Sequence, residues 1–480
     1  MSRPGPVGGQ YQPLTTDQIE QIHEASLKVL EQTGIDVQNK EALELYRHGG
    51  ARIDGRRVYI SARMVERALE TVPHRVALAG RDPAQDVVLE GKRVFAGTGG
   101  SPTMMQDPGT DTVRPGTLQD LADITRMADA LEYCDFVVMP LFPADLTADE
   151  APINRFYTCV TNTAKHVMGG VGSVAGAREV IELGTMIAGS LPELQARPFI
   201  SAITSWMVSP LKVDRHVTDI LIEWCRHGLP IALSSAPMAG STSPVTLAGS
   251  LVQLNSEQLS GIVLTQLVKP GVPVLAGYIP GFADMRSGGY LGGPIEFGMM
   301  QAAAAQLAHF YRVPIYCSAG MTDAKLPDVQ AGYEKISTLL LAAMGGCNYI
   351  HHAIGMITNM NAISLEQAVM DDEMVGAAMR VLKGIQVTSE TLGVEVINRV
   401  GPGGHFLKDL HTVKFMRSEV YYPLLADRQS REAWEAAGKQ DSRTRAIARV
   451  RKLLKEHAAP GLPSDVANAI RARFRLRALQ

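Results

Sequence analysis

The chain has no run of about 20 apolar residues, so nothing in it reads as a membrane-spanning helix. Its first fourteen residues are rich in Gly and Pro and lack the apolar core of a secretory signal, which predicts a soluble, cytoplasmic protein. Cysteine is scarce. Cys134, Cys159, Cys225, Cys317 and Cys347 are odd in number and form no CxxC or metal-ligand spacing, so they are expected to be reduced, buried thiols. HExxH, GxSxG and GxxxxGK[ST] are all missing, which argues against a zinc protease, a serine hydrolase elbow and a nucleotide P-loop, and no metal is expected. A formal charge of only −3 over 480 residues argues against nucleic acid as a partner. The charge is uneven, however: from Arg443 onward ten Lys/Arg face only Glu456 and Asp465, a tail of +8 that leaves −11 on the rest. Such a tail should be helical and pack on an acidic neighbour or subunit, so a homo-oligomer is expected.

What is present is a rhythm. Eight short apolar runs, each ending in a Gly-, Ser- or His-rich loop, are centred on Phe95, Val137, Met168, Ile200, Ala232, Leu275, Tyr316 and Ile350, with spacings of 42, 31, 32, 32, 43, 41 and 34 residues. Four begin at proline (Pro198, Pro230, Pro273, Pro314), tolerated at a strand start because the ladder has not begun. Between them, stretches such as 213–226, 256–268 and 295–310 repeat apolar residues every three or four positions, as a helix with a buried stripe does. Strands alternating with helices predict a parallel sheet, and eight continuously apolar strands predict an α/β protein of the (β/α)8 TIM-barrel class. An open α/β sheet with a miscounted strand is the alternative. A barrel needs about 250 residues, so the remainder is assigned to an N-terminal α+β cap (1–90) and a helical C-terminal extension with the basic tail (391–480), around a barrel at 91–390. In the cap, Thr15 and Gln18 form a capping-box pattern, Gly34 ends that helix, residues 53–56 read as a hairpin turn, and a second helix is expected over 61–70.

Barrel sites lie at the carboxyl ends of the strands. The loops there offer Gly97, Gly99 and Gly100; Phe142; Trp206; Tyr278 and Arg286; Asp323, Lys325 and Gln330; and His351 with His352. The mouth so composed is glycine-lined, aromatic and short of acids. The glycines admit a bulky planar ligand close to the backbone, and a phosphate cradle is the weaker reading. Neighbouring strand residues face opposite ways, so one histidine should enter the pore and the other pack in the wall. Lys325 has two readings, a Schiff-base lysine as in aldolases or a solvated lysine near Asp323 and Asp328. Phe142, Trp206 and Tyr278 could box a cation, although wall packing is the simpler role for each.

At these loops the chain resembles the trimethylamine methyltransferase family, corrinoid-dependent enzymes that include glycine betaine methyltransferases. The resemblance runs from about residue 14 to 434 and is carried by three segments: the Phe95-Ala-Gly-Thr-Gly-Gly motif, the run from Ser318 to Lys335 (SAGMTDAKLPDVQAGYEK), and the run from Gly403 to Thr412 (GGHFLKDLHT). It implies a TIM barrel over whose open face a separate corrinoid protein docks. Family members acting on trimethylamine carry pyrrolysine; this chain has only standard residues and resembles the branch without it, with Lys325 at or near that position. The resemblance then implies methyl transfer from a quaternary amine, such as glycine betaine, to cobalt(I) of a corrinoid (cobalamin) held by the partner. In that reading Phe142, Trp206 and Tyr278 cage the cation. Arg286 and His351 or His352 bind a substrate carboxylate, Asp323 and Gln330 orient the loop, and Gly97, Gly99 and Gly100 face the corrinoid. A Lys325 Schiff-base lyase and a non-catalytic barrel binding quaternary amines or corrinoid are the competing readings.

Overall fold

A computed structural model describes residues 3 and 5–479. All eight expected strands are present: β1 (Phe95–Ala96), β2 (Phe136–Val138), β3 (His166–Gly169), β4 (Ile200–Thr204), β5 (Ile231–Ser235), β6 (Val274–Tyr278), β7 (Ile315–Ser318) and β8 (Tyr349–His351). Each pairs in parallel with its chain neighbour from β2 to β8, and β8 pairs with β1. A parallel bridge between Gly97 and Phe136 joins β1 to β2 and closes the ring, which rules out the open sheet. Eight helices cover it: α1 (Leu118–Ala130), α2 (Ala151–Asn162), α3 (Val174–Ala188), α4 (Arg215–Arg226), α5 (Leu247–Val268), α6 (Ile295–Phe310), α7 (Val329–Gly345) and α8 (Leu365–Leu382). Their ends follow local chemistry. Thr117 and Asp120 make a reciprocal capping box at α1. At α7 the Asp328 side chain takes the Ala331 N–H, and Gly346 leaves the helix at φ +84°, where a Cβ would be strained.

Two apolar layers result. The outer one lies between sheet and helices. The inner one fills the barrel with Phe95, Phe136, Val138, Met168, Ala232, Leu275, Ile279, Tyr316 and Tyr349. Joined to it are Val76, Leu78, Val87 and Leu89, alternate residues of a hairpin (Arg75–Leu78 with Val87–Glu90) that plugs the amino end.

The N-terminal segment carries the expected capping box at Thr15 and the helix Thr16–Lys28, which continues as a π-helical turn, Val29–Thr33, to Gly34. The hairpin Arg52–Asp54/Arg57–Tyr59 is also found, and Ala62–Thr71 is helical. The segment is stitched to the barrel, since Ile35–Val37 pairs in parallel with Lys212–Val213 from the loop after β4. At the other end, Ser442–Glu456 and Ser464–Arg473 form the basic tail. Its acidic neighbour is this chain's own barrel. Arg443 lies 2.9 Å from Asp111 and 3.3 Å from Glu366, His457 2.8 Å from Asp129, Arg473 2.6 Å from Glu182 and Arg477 3.0 Å from Glu150. These intramolecular pairs remove the tail as an argument for a second subunit. Among the described residues no helix is long and apolar enough to cross a membrane.

Candidate active site

The loops after β8 and β1 build a four-stranded sheet on one side of the mouth, from Met104–Gln106, Val113–Pro115, Met356–Ile357 and Ala362–Ser364. Those after β5 and β6 build a three-stranded one, from Met238–Ala239, Gly281–Ala283 and Tyr290–Leu291. Between them the barrel interior rises as a column of rings. Phe136 stacks on Tyr349 at 3.4 Å, Tyr349 meets Tyr316 at 5.6 Å, Tyr316 stacks on His351 at 4.0 Å, and His351 meets His352 at 3.7 Å between centroids. The hydroxyls of Tyr316 and Tyr349 are buried without a hydrogen-bond partner.

Both histidines reach this column, where strand alternation predicts one. His352 has φ +68°, a left-handed conformation rare outside glycine, which breaks the alternation and brings its ring beside the first. The His351 Nδ1–H donates to the Cys317 carbonyl, so its Nε2 carries the lone pair; Nδ1 of His352 is 2.6 Å from the Ser318 hydroxyl. Burial holds both rings neutral, taking His351 down to about 3 and His352 well below the ordinary imidazole value. The glycine loop is shaped by this pair. A Cβ on Gly99 would lie 2.7 Å from the His352 nitrogen, one on Gly100 2.5 Å from Met356 Cε, and one on Gly97 2.3 Å from the Phe136 carbonyl. The space beside these glycines is therefore filled by protein, which corrects their reading as room for a planar cofactor.

Other expected residues lie elsewhere. Tyr278 points out of the barrel, donating to Asn255 Oδ1 of α5 at 2.8 Å, because the inward positions of β6 are Leu275, Gly277 and Ile279. Trp206 is buried behind β5 against Gly261 of α5. Neither belongs to a cation cage. Phe142 does reach the rim, 36% exposed, with the Arg155 guanidinium over its ring at 4.6 Å. Arg286 is exposed in the β6 loop, its N–H held by Asp284 Oδ1 at 2.9 Å. Lys325 is exposed too, its Nζ donating to the Asp323 carbonyl at 2.6 Å, so the desolvation a Schiff-base lysine needs is absent and the solvated reading holds.

Asp323 and Gln330 hold loops. Asp323 Oδ1 accepts from Gly292 N at 2.9 Å, tying the β7 loop to the β6 loop, and Gln330 donates to Glu334 at 2.9 Å. Glu334 also accepts from Thr322 Oγ1 at 2.5 Å and Asp323 N at 2.8 Å; burial, with Glu334 beside it, pushes the Asp323 carboxyl up. The mouth is thus less acid-poor than the sequence implies. Beneath it lies a buried ion pair, Lys335 Nζ to Asp371 Oδ2 at 3.2 Å, each side chain 1% exposed. Lys335 also donates to the carbonyls of Gly320 and Met356, and Asp371 accepts from Gly355 N at 2.7 Å, so the pair pins the loops after β7 and β8.

A closed (β/α)8 barrel with a desolvated, neutral aromatic–imidazole column at the carboxyl ends of its strands defines an enzyme scaffold of the barrel class. The family model described as trimethylamine methyltransferase (MTTB) matches residues 5–478. Trimethylamine methyltransferase MttB of Desulfitobacterium hafniense (strain DSM 10664 / DCB-2) is 37% identical, over 95% of this chain and 92% of its own length. Glycine betaine methyltransferase of Desulfitobacterium hafniense (strain Y51) is 34% identical over 96% of both. Trimethylamine methyltransferase MttB of Methanosarcina barkeri (strain Fusaro / DSM 804) is 35% identical over 97% of this chain and 95% of its own. The chain belongs to the trimethylamine methyltransferase family and is a methyltransferase.

Proposed function

We propose that the protein moves a methyl group from a quaternary amine, of the glycine betaine kind, to cobalt(I) of a corrinoid carried by a partner protein. The observation that carries this reading is the neutral His351–His352 pair, with His351 stacked on Tyr316, in the buried ring column at the strand ends. A permanent cation is attracted by ring faces, about 0.5–2 kcal/mol for each desolvated contact, and is not repelled by imidazoles that carry no proton. When bound, the corrinoid supplies the nucleophile. The carbon–nitrogen electron pair stays with nitrogen and leaves a neutral tertiary amine, so no protein acid is required at the leaving group. His351, His352 and Tyr316 would then hold the ammonium in line and keep water out. The rim suits a large docking partner: Phe142, Val208, Val245 and Met285, from the loops after four different strands, and Val329 at the start of α7 are all exposed. The glycine loop has no free space of its own, which favours a corrinoid presented over the rim by its carrier.

The test is an anaerobic spectrum of cobalt(I) cobalamin with the purified protein and a panel of amines. Loss of the cobalt(I) absorption with a quaternary amine, and not without protein, is expected. No change with any quaternary amine, when a competent carrier protein is also supplied, would defeat the reading. The neutrality of the pair adds a second expectation: because His351 takes a proton only near pH 3, amine affinity measured by calorimetry should stay within about twofold from pH 6.0 to 8.5. An exposed imidazole in the column would instead weaken binding as pH fell through about 6.5.

A further inference from the structure

Arg155 on α2 is 4% exposed and has no carboxylate partner among the described residues. Its Nη2 donates to Ser101 Oγ at 2.6 Å, its Nε is buried without any partner, and one face is covered by the Phe142 ring. Buried guanidinium groups are normally paired, because taking the charge out of water is costly without an anion to offset it. The two residues that touch the guanidinium, Ser101 and Phe142, both belong to the mouth. Ser101 follows Gly99 and Gly100, the two residues pressed on His351 and His352. Ser101 itself is held at φ +62°, its hydroxyl donating to the Met139 carbonyl at the end of β2 at 3.0 Å. Phe142 is the rim residue of the β2 loop. Through these contacts the guanidinium and the imidazole pair are at most about 13 Å apart, a span that a small zwitterion and its two sets of contacts can fill.

We infer that Arg155 is the carboxylate reader of the mouth, so that the substrate is a quaternary amine bearing a carboxylate, its ammonium on the imidazole–tyrosine column and its anion on the guanidinium at its unpartnered Nε. This inference rests on the proposed function and narrows it. The assignment differs from the one drawn from sequence: Arg286 is exposed in the β6 loop, whereas Arg155 is desolvated and has no counter-ion among the described residues. Burial alone lowers its basicity to about 10, and an arriving carboxylate would reverse that loss.

The test compares glycine betaine, its carboxamide isostere and choline as methyl donors to cobalt(I) corrinoid, with the wild-type protein and with Arg155→Gln and Arg155→Lys. For the wild type, kcat/KM should favour glycine betaine over the two donors without a carboxylate by about 10²–10³-fold. Arg155→Gln should lose that preference while keeping the low rate with choline, and Arg155→Lys should restore part of it. A wild type that uses choline as well as betaine would overturn the inference, as would an equal loss for all three donors in a folded Arg155→Gln, which would assign Arg155 to the fold or to partner docking. If the wild type transfers methyl from no quaternary amine, the proposed function fails. Calorimetry of propionate with the wild type and Arg155→Lys then decides the anion site alone: binding weakened at least tenfold by the substitution supports it, and equal or absent binding overturns it.

Discussion

Asp371→Ala is expected to cost about 3–5 kcal/mol of folding stability, read as a shift of the urea midpoint at unchanged slope. The substitution leaves the Lys335 ammonium buried among the carbonyls of Gly320 and Met356, with no anion, and deprives Gly355 N of its acceptor. The loss measures a stranded charge and does not measure what the intact pair contributes. Burial pushes Asp371 up to about 6 and Lys335 down, so desolvation outweighs attraction for both partners. The sign follows from linkage. With a folded value of about 6 and an unfolded value near 3.9, stability from this carboxyl is full below about pH 4 and is lost as pH rises through 6. Lys335→Met with Asp371→Leu should therefore be neutral or up to about 4 kcal/mol stabilising, yet slower in methyl transfer because Gly320 and Gly355 are no longer pinned. A double variant as unstable as Asp371→Ala would show that the pair itself stabilises the fold.

Gly99→Ala should lower kcat/KM for methyl transfer about 10²-fold while the protein still folds. The added Cβ would stand 2.7 Å from the His352 backbone nitrogen and 3.0 Å from His351 Cδ2. The first of these is main chain and cannot rotate away, so the strand end moves and carries both rings. Overpacking of this kind costs about 1–3 kcal/mol. A lowered melting temperature with unchanged kinetics would remove the histidine pair from the reaction.

The barrel was legible because its signal is a spacing repeated eight times, and because parallel strands buried on both faces read as unbroken apolar runs. The site was only half legible. Three further placements follow from alternation alone: with Leu275 inward in β6, Tyr278 must face out, and with Tyr316 and Tyr349 at the inner positions of β7 and β8 they belong to the ring column. Other features lay beyond any local pattern. Nothing in the sequence announces the left-handed turn at His352 that places a second ring in the column. Trp206 looks like a mouth aromatic until the close approach of Gly261 shows the slot behind the sheet that receives it. Arg155 sits in a helix between Asn154 and Phe156, and its significance is the absence of a carboxylate partner among the described residues, which only three dimensions reveal. Lys335 closes the run that starts at Ser318, but its carboxylate is 36 residues away on α8.

The hairpin under the barrel closes its amino end. With Leu78 and Leu89 below and Phe136 stacked on Tyr349 within, the ring column can be approached only from the strand ends. On the proposed mechanism the two reactants share one doorway, and the larger would seal it. Traffic is then sequential: the small amine boards before the carrier protein docks, and the demethylated amine waits until the carrier has gone.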